Sequence, residues 1–273
     1  MLLSLKFHTR YDYTPAVASG LTALRLMPSA GPGLNVIESR VTVFPGRVSQ
    51  VYTDAWGTRV EVVEALHPHA YATFDVVALV ETVAGEVPAT ISPADRFLFS
   101  HDSERVKMAS VTRLGAELPF PGRGWPEIGA LCSWIPQRFE YDVRATDECT
   151  PTADFIRLGA GVCQDFAHLM IAFARQWGWP ARYVSGYFFS QEASAGRVDA
   201  EATHAWVEVW REGVGWIGLD PTAGGLADER YVPVGRGRDY DDVRPVQGVL
   251  RGQASQSFAS KLSIRSMTMQ AEQ

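Results

Sequence analysis

Hydrophobic and polar residues alternate in short segments over the first hundred positions of the chain. Turn-forming residues separate these segments, among them Pro28, Gly31 to Gly33, and the pair Pro45 and Gly46. A two-residue alternation is typical of strands whose two faces meet different surroundings. Regular spacing of such strands and turns predicts an antiparallel sandwich or barrel. The segments are SLKFHTRYDY, LTALRLMP, VIESRVTVFP, RVSQVYTD, TRVEVVEAL and TFDVVALVETV.

The period of the pattern changes after about residue 92. Apolar residues at helical spacing predict one helix in the segment PEIGALCSWIPQRFEY and a second over 163–177. The second helix is bounded by Gly178, a C-terminal cap, and Pro180, which stops continuation. Its apolar stripe consists of Phe166, Leu169, Met170, Phe173 and Trp177.

Strands return after this helix, in the segments ARYVSGYFFS, THAWVEVWR and VGWIGLDPT. Glu212 and Gly213 separate the last two and predict a hairpin. Residues 223–247 are rich in Gly, Asp and Arg and indicate loops, and SFASKLSIRSMTM follows as a candidate closing strand. We therefore predict two domains: residues 1–95, a β-domain, and residues 96–273, a core that ends with the closing strand.

Composition narrows the class of protein. The chain has 273 residues, 46% hydrophobic and 21% charged, as in ordinary globular proteins. Its net charge of −6 argues against a nucleic-acid or anionic-membrane partner. No apolar run approaches the ~18 residues of a membrane-spanning helix. Three cysteines cannot all pair within one chain, which favours a reducing, cytoplasmic location.

Cys163 is the first candidate for chemistry. It begins the predicted helix directly after the glycine-rich segment GAGV. The dipole and unpaired N–H groups of a helix start favour the thiolate, which is the nucleophilic form of cysteine. Its backbone N–H is also a candidate donor to an oxyanion. Position alone fits a buried structural cysteine equally, since free cysteine is among the most buried residue types.

His204 and Asp220 lie on the two strands of the predicted hairpin. If a three-residue loop ends at Gly213, counting back along both strands puts His204 directly opposite Asp220. Opposed residues share one face of a sheet with Cβ atoms ~5 Å apart. Asp220 would then hold one imidazole nitrogen while the other meets Cys163, as nucleophile, base and orienting acid do in acyl transfer.

The order Cys163, His204, Asp220 resembles that of the transglutaminase-like superfamily. Three separate segments carry the resemblance: GVCQDFAHL, HAWVEVW and WIGLDPT. The segments FHTRYDYTPAV, LRLMP and DAWG resemble the amino-terminal β-domain of bacterial members. GRDYDDVRPVQGVLRG resembles their carboxy-terminal part, so the resemblance covers nearly the whole chain.

The resemblance implies an α+β fold, in which an amino-terminal antiparallel β-sandwich precedes a papain-like core. In that core a cysteine-bearing helix packs on an antiparallel sheet that bears the histidine and the aspartate. The implied catalytic residues are Cys163, His204 and Asp220, with no cofactor and no metal. The implied chemistry is attack of the thiolate on an amide carbonyl to give a thioester. Water would then complete hydrolysis of a peptide or isopeptide, and an amine would instead complete transamidation; the size of the chain favours hydrolysis.

Two other classes of function stay open. A zinc protein could use Cys163, His168, His204 and Asp220 as ligands, although the spacing of a zinc motif is missing. A non-catalytic interaction module could also retain the fold. The expected partner of an enzyme is a peptide or protein amide substrate, and the sequence leaves the oligomeric state unknown.

Overall fold

The computed structural model describes residues 1–83, 90–190 and 203–267. Within these ranges strands predominate and the α-helices are few. The strands are β1 (Leu2–Val17), β2 (Ser19–Leu24), β3 (Leu34–Phe44), β4 (Arg47–Thr53), β5 (Arg59–Ala65), β6 (His69–Thr82), β7 (Glu140–Tyr141), β8 (Ala160–Gly161), β9 (Ala181–Phe188), β10 (His204–Arg211), β11 (Gly215–Asp220), β12 (Gly225–Leu226), β13 (Tyr231–Gly237), β14 (Val246–Arg251) and β15 (Ser255–Ser266). The helices are α1 (Pro93–Leu98), α2 (Thr112–Gly115), α3 (Trp125–Arg138), α4 (Thr152–Leu158) and α5 (Cys163–Gln176).

Two four-stranded antiparallel sheets form the amino-terminal sandwich. Their strand orders are β15-β1-β6-β3 and β14-β2-β5-β4. Alternation along β1 buries Leu3, Leu5 and Phe7 and exposes Lys6 and His8, as a strand with one face on a core requires. Both sheets contribute to one hydrophobic core, whose members include Leu3, Leu5, Phe7, Leu24, Val63, Phe74, Val76, Leu262 and Ile264. The predicted β-sandwich is therefore present.

The carboxy-terminal strands belong to the sandwich and not to the core sheet. β15 pairs with β1 along its whole length, from Leu3 opposite Ser266 to Thr14 opposite Ser255. β14 pairs with β2 in the other sheet. The sequence assigned the closing strand to the domain 96–273. The structure instead places it at the edge of a sandwich sheet, because its alternating side chains Leu262 and Ile264 are buried in the sandwich core. The boundary at residue 95 itself stays a prediction.

The second part of the molecule is built on a five-stranded antiparallel sheet. Its strand order is β12-β11-β10-β9-β13. α5 packs on β9 and β10, and α3 packs on α5. α5 ends where the sequence predicts, because Gly178 adopts a φ of 87° just beyond it. Tyr187 at the far end of β9 enters the sandwich core, where its hydroxyl donates to the carbonyl of Leu26 at 2.8 Å.

Candidate active site

Cys163 is the first residue of α5 and is partly exposed. The start of this helix is held by Asp165, whose Oδ2 accepts hydrogen bonds from the Val162 N–H at 2.9 Å and the Thr146 hydroxyl at 2.6 Å. Gly161 is required at this entry, since a Cβ there would lie 2.5 Å from Asp165 Oδ2. The glycine-rich approach thus allows the carboxylate to cap the helix beside the thiol.

The direction of α5 places Cys163 at one particular end of the sheet. Near the carboxyl end of the helix, Arg175 donates to the carbonyl of Ala181, the first residue of β9. Half-way along the helix, His168 lies against Tyr183 with ring centroids 5.2 Å apart. The helix therefore runs opposite to β9. At 1.5 Å per residue, Cys163 lies roughly 7 Å beyond His168, toward the end of β9.

His204 begins β10 at that same end of the sheet, where it pairs with Gly186 of β9. The ring is 8% exposed and packs among the rings of Phe188, Trp206 and Tyr231. Its Nε2 lies 2.8 Å from Oδ2 of Asp220. Because a carboxylate only accepts hydrogen bonds, this contact puts a proton on Nε2.

Asp220 is held by four donors. Oδ2 accepts from His204 Nε2 and from the Tyr231 hydroxyl, each at 2.8 Å. Oδ1 accepts from the backbone N–H groups of Thr222 at 2.8 Å and Ala223 at 3.3 Å. Burial alone would raise the pKa of Asp220, but the hydrogen bonds and the charge of a protonated His204 bring it below its ordinary value. The carboxylate is therefore ionised around neutral pH and ready to stabilise an imidazolium.

The register of the hairpin differs from the predicted one. Arg211 pairs with Gly215 and Val207 with Leu219, so the loop lies one residue further along the chain. Continued to the strand ends, this register sets Asp220 level with Trp206 instead of His204. A displacement of two residues keeps side chains on the same face of a sheet. Asp220 therefore still reaches His204, diagonally and not directly across.

Tyr231 is a site residue that sequence reasoning missed. It begins β13, within the segment that the sequence indicated as loops. β13 contains Pro233 and Gly235, and its pairing with β9 shifts between these two residues. Both residue types weaken strand patterns and are tolerated on an edge strand, which β13 is. The apolar segment Tyr-Val-Pro-Val that begins at Tyr231 was the signal in the sequence that could have predicted this strand.

His168, Gln164 and Cys132 take structural positions. His168 is buried, and its Nε2 accepts the Tyr240 N–H at 3.2 Å; burial lowers its pKa to about 4. The side-chain amide of Gln164 donates to the carbonyl of Glu148 at 3.2 Å. Cys132 is 1% exposed in the core, where burial raises its pKa to about 12.

Cys149, the third cysteine, lies outside the core, and Nη2 of Arg105 lies 3.9 Å from its sulfur. Its thiol is exposed. The chain therefore offers two accessible thiols, and Cys163 is the one that begins a helix, at the end of the sheet where His204 begins β10.

In the described parts of the chain, no group of three His, Cys, Asp or Glu side chains is arranged to hold a metal ion. The zinc hypothesis thus has no ligand set among these residues. No helix within the same ranges is long and apolar enough to cross a membrane.

The comparisons with known proteins define the class of protein. The family model of the transglutaminase-like superfamily matches residues 122–221, which include Cys163, His204 and Asp220. The model of the bacterial transglutaminase-like N-terminal region matches residues 3–81. An uncharacterised protein of Mycobacterium leprae is 30% identical over 262 residues, covering 90% of this chain and 92% of that protein. The chain therefore belongs to the transglutaminase-like superfamily, whose members are typically cysteine enzymes.

Two further matches add detail. The crystal structure of a proposed cysteine protease from Cytophaga hutchinsonii has the same fold, with a TM-score of 0.78 at 22% identity, covering 98% of this chain and 93% of that one. A protein-glutamine gamma-glutamyltransferase of Pseudomonas aeruginosa is 39% identical over 103 residues, which are 34% of this chain and 15% of that enzyme. The fold and the family expected from the sequence are confirmed. The three catalytic assignments stay predictions.

Proposed function

We propose that the protein is a cysteine-dependent enzyme that cleaves peptide or isopeptide amides through a thioester on Cys163. The observation that carries this proposal is the 2.8 Å hydrogen bond between His204 Nε2 and Asp220 Oδ2. This hydrogen bond lies at the same end of the sheet as Cys163, the first residue of α5. A nucleophile, a base and an acid that orients the base are the minimum set for this chemistry.

Each residue has a defined role in the proposed reaction. The Cys163 thiolate attacks the amide carbonyl carbon, and the backbone N–H at the start of α5 stabilises the oxyanion. The C–N bond then breaks, and the imidazolium of His204 gives its proton to the departing amine. Water next attacks the thioester while His204 takes its proton, which releases the carboxylic acid and the thiolate.

Asp220 acts through His204 in both half-reactions. Because its Oδ2 fixes the proton of His204 on Nε2, the other ring nitrogen, Nδ1, is the one that takes and returns protons. The negative charge of the buried carboxylate also stabilises the imidazolium. Asp220 is thus a positioning residue in this scheme.

Transamidation is the alternative outcome of the same thioester. The identity with the Pseudomonas aeruginosa gamma-glutamyltransferase supports it. Hydrolysis needs no second binding site, since water reaches a partly exposed thioester from bulk solvent. We therefore propose hydrolysis as the main reaction.

A single mass-spectrometric experiment tests both outcomes. The purified protein is incubated in H₂¹⁸O with peptides that contain glutamine side chains, backbone amides or γ-glutamyl isopeptides, with and without an added primary amine. Hydrolysis gives a product carboxylate that contains ¹⁸O, and transamidation gives a product that carries the amine. The Cys163→Ala variant is the control. Equal product from this variant and the wild type would refute the proposal.

A further inference from the structure

A cleft runs between the core and the sandwich near the candidate active site. It has a volume of ≈ 180 Å³. Its core wall includes Glu148, Thr203 and Tyr240, and its sandwich wall includes Tyr11 and Phe258. A second cavity of ≈ 220 Å³ continues it along the sandwich. The two cavities share Tyr11, Glu148, Arg244, Val246 and Gln256.

The core wall of the cleft adjoins the candidate catalytic residues. Thr203 directly precedes His204 in the chain. Glu148 is joined to the residue after Cys163, because its carbonyl accepts the Gln164 side-chain amide at 3.2 Å. The cleft is therefore lined next to the chain neighbours of both Cys163 and His204.

The sandwich wall presents an aromatic pair on its surface. Tyr11 of β1 lies directly opposite Phe258 of β15. Their rings stack with centroids 5.5 Å apart, and Phe258 is 62% exposed. The exposed ring of Phe258, backed by the half-buried ring of Tyr11, gives the cleft an apolar surface that a ligand side chain can cover.

A larger cavity of ≈ 930 Å³ lies elsewhere between the two parts of the molecule, lined by Trp206, Glu208 and Arg236 among others. Among residues 1–83, 90–190 and 203–267, neither cavity is lined by Cys163, His204 or Asp220 themselves. The larger cavity adjoins only the His–Asp pair, through Trp206 and Tyr231. The smaller cleft is lined by Thr203, next to His204, and by Glu148, which is hydrogen-bonded to the neighbour of Cys163, so it adjoins both halves of the candidate site.

We propose that the sandwich forms one wall of the substrate site and that the substrate is an extended peptide. The segment that flanks the scissile amide lies in the cleft, and one of its apolar side chains packs on Tyr11 and Phe258. This inference rests on the proposed function. It assigns to the amino-terminal sandwich a role in substrate selection.

The test measures KM and kcat of two matched variants on a set of peptides. In these peptides Phe, Leu, Ser or Glu occupies, in turn, each position next to the scissile amide. Phe258→Ala should raise KM about tenfold for peptides with Phe or Leu at one position and leave kcat unchanged. Phe44→Ala is the control, since Phe44 is 51% exposed and its ring lies tilted against that of Tyr71, with centroids 5.2 Å apart, toward the opposite edge of the same sheet. Equal effects of both variants, or no position with an apolar preference, would overturn the inference.

A binding measurement separates this inference from the proposed function. Fluorescent versions of the same peptides are titrated into the full chain carrying Cys163→Ala, alone or combined with Phe258→Ala or Phe44→Ala. If binding is weakened by Phe258→Ala and not by Phe44→Ala, the result supports substrate binding in the cleft, even if the wild type cleaves none of the peptides. Phe258→Lys serves as a second variant and should shift the preferred residue from Phe to Glu; an unchanged preference would refute the assignment.

Discussion

Replacing Asp220 by asparagine tests the candidate site most directly. Every oxygen of this carboxylate already accepts two hydrogen bonds: Oδ2 from His204 and Tyr231, and Oδ1 from the N–H groups of Thr222 and Ala223. An asparagine must put an NH₂ group where one oxygen was. In either orientation this group meets donors.

The two orientations of the asparagine are unequal. With its NH₂ toward Thr222 and Ala223, the amide opposes two backbone donors that cannot rotate, and a buried unsatisfied donor costs about 1–3 kcal/mol. With its NH₂ toward Tyr231 and His204, the tyrosine hydroxyl can turn to accept and the imidazole can change tautomer. The second orientation is therefore favoured. It moves the imidazole proton to Nδ1, so that His204 can no longer act as a base there.

The wrong tautomer makes the expected loss large. The corresponding change in a serine protease triad costs about 10⁴ in kcat. A cysteine is a better nucleophile than a serine and depends less on its base, so we expect kcat to fall by about 10²–10³ with KM nearly unchanged. Steady-state kinetics on the amide substrate identified by mass spectrometry would measure both constants.

Asp165→Asn is the matched control. Asp165 is also buried and also close to Cys163, but in the described structure its Oδ1 has no hydrogen-bond partner. An asparagine can place its NH₂ group at the position of Oδ1 and keep the oxygen that caps α5. Because no hydrogen bond of the carboxylate is then lost, kcat should change less than about threefold. A severe loss in Asp165→Asn together with a near-silent Asp220→Asn would assign the orienting acid to Asp165.

Three further variants follow from the same geometry. Cys163→Ala should abolish turnover and leave the circular dichroism spectrum and Tm close to wild type; residual activity above a few per cent would exclude it as the nucleophile. Tyr231→Phe removes one hydrogen-bond donor from Asp220 and so raises the pKa of that carboxyl. We expect kcat to fall about three- to tenfold and the acid limb of the pH profile of kcat to move to higher pH. An unchanged pH profile would leave Tyr231 with a packing role only. Glu208 forms buried ion pairs with Arg182 and Arg236. Glu208→Gln leaves both guanidinium groups without a counter-charge and should cost about 3–5 kcal/mol of unfolding free energy. Burial would raise the pKa of Glu208, but its two arginine partners lower it to about 2. The loss of unfolding free energy in Glu208→Gln should therefore be complete above pH 4.5 and become smaller as the pH falls toward 2. A loss that is the same at all pH values would contradict the ion-pair account.

The parts of the fold that rest on local patterns were predictable. α5 begins at Cys163 and ends before Gly178, because its apolar stripe, its entry and its cap are all encoded within a few neighbouring residues. The strand content of the first hundred residues was equally clear, since alternation in β1 reports directly which side chains are buried.

The parts that depend on distant pairing were not predictable. The place of β15 beside β1 joins the two ends of the chain, and no local pattern specifies such a partner. When the loop of the hairpin from His204 to Asp220 moves by one residue along the chain, the residue opposite each position changes by two. The contact between His204 and Asp220 was still predicted, because a shift of two residues conserves the face of a sheet; a shift of one would have separated the pair.

The pairing of the chain ends also explains why the sandwich can take part in the site. β15 follows the core in sequence, yet it completes the sheet whose other strands precede the core. This return brings Phe258 back beside Tyr11 after the chain has passed through α5 and the sheet that carries His204. The sandwich is therefore covalently tied to the core on both sides, and Tyr187 of the core sheet reaches into its interior. These attachments hold the wall in place relative to the core, which the proposed selection of a peptide by its side chains requires.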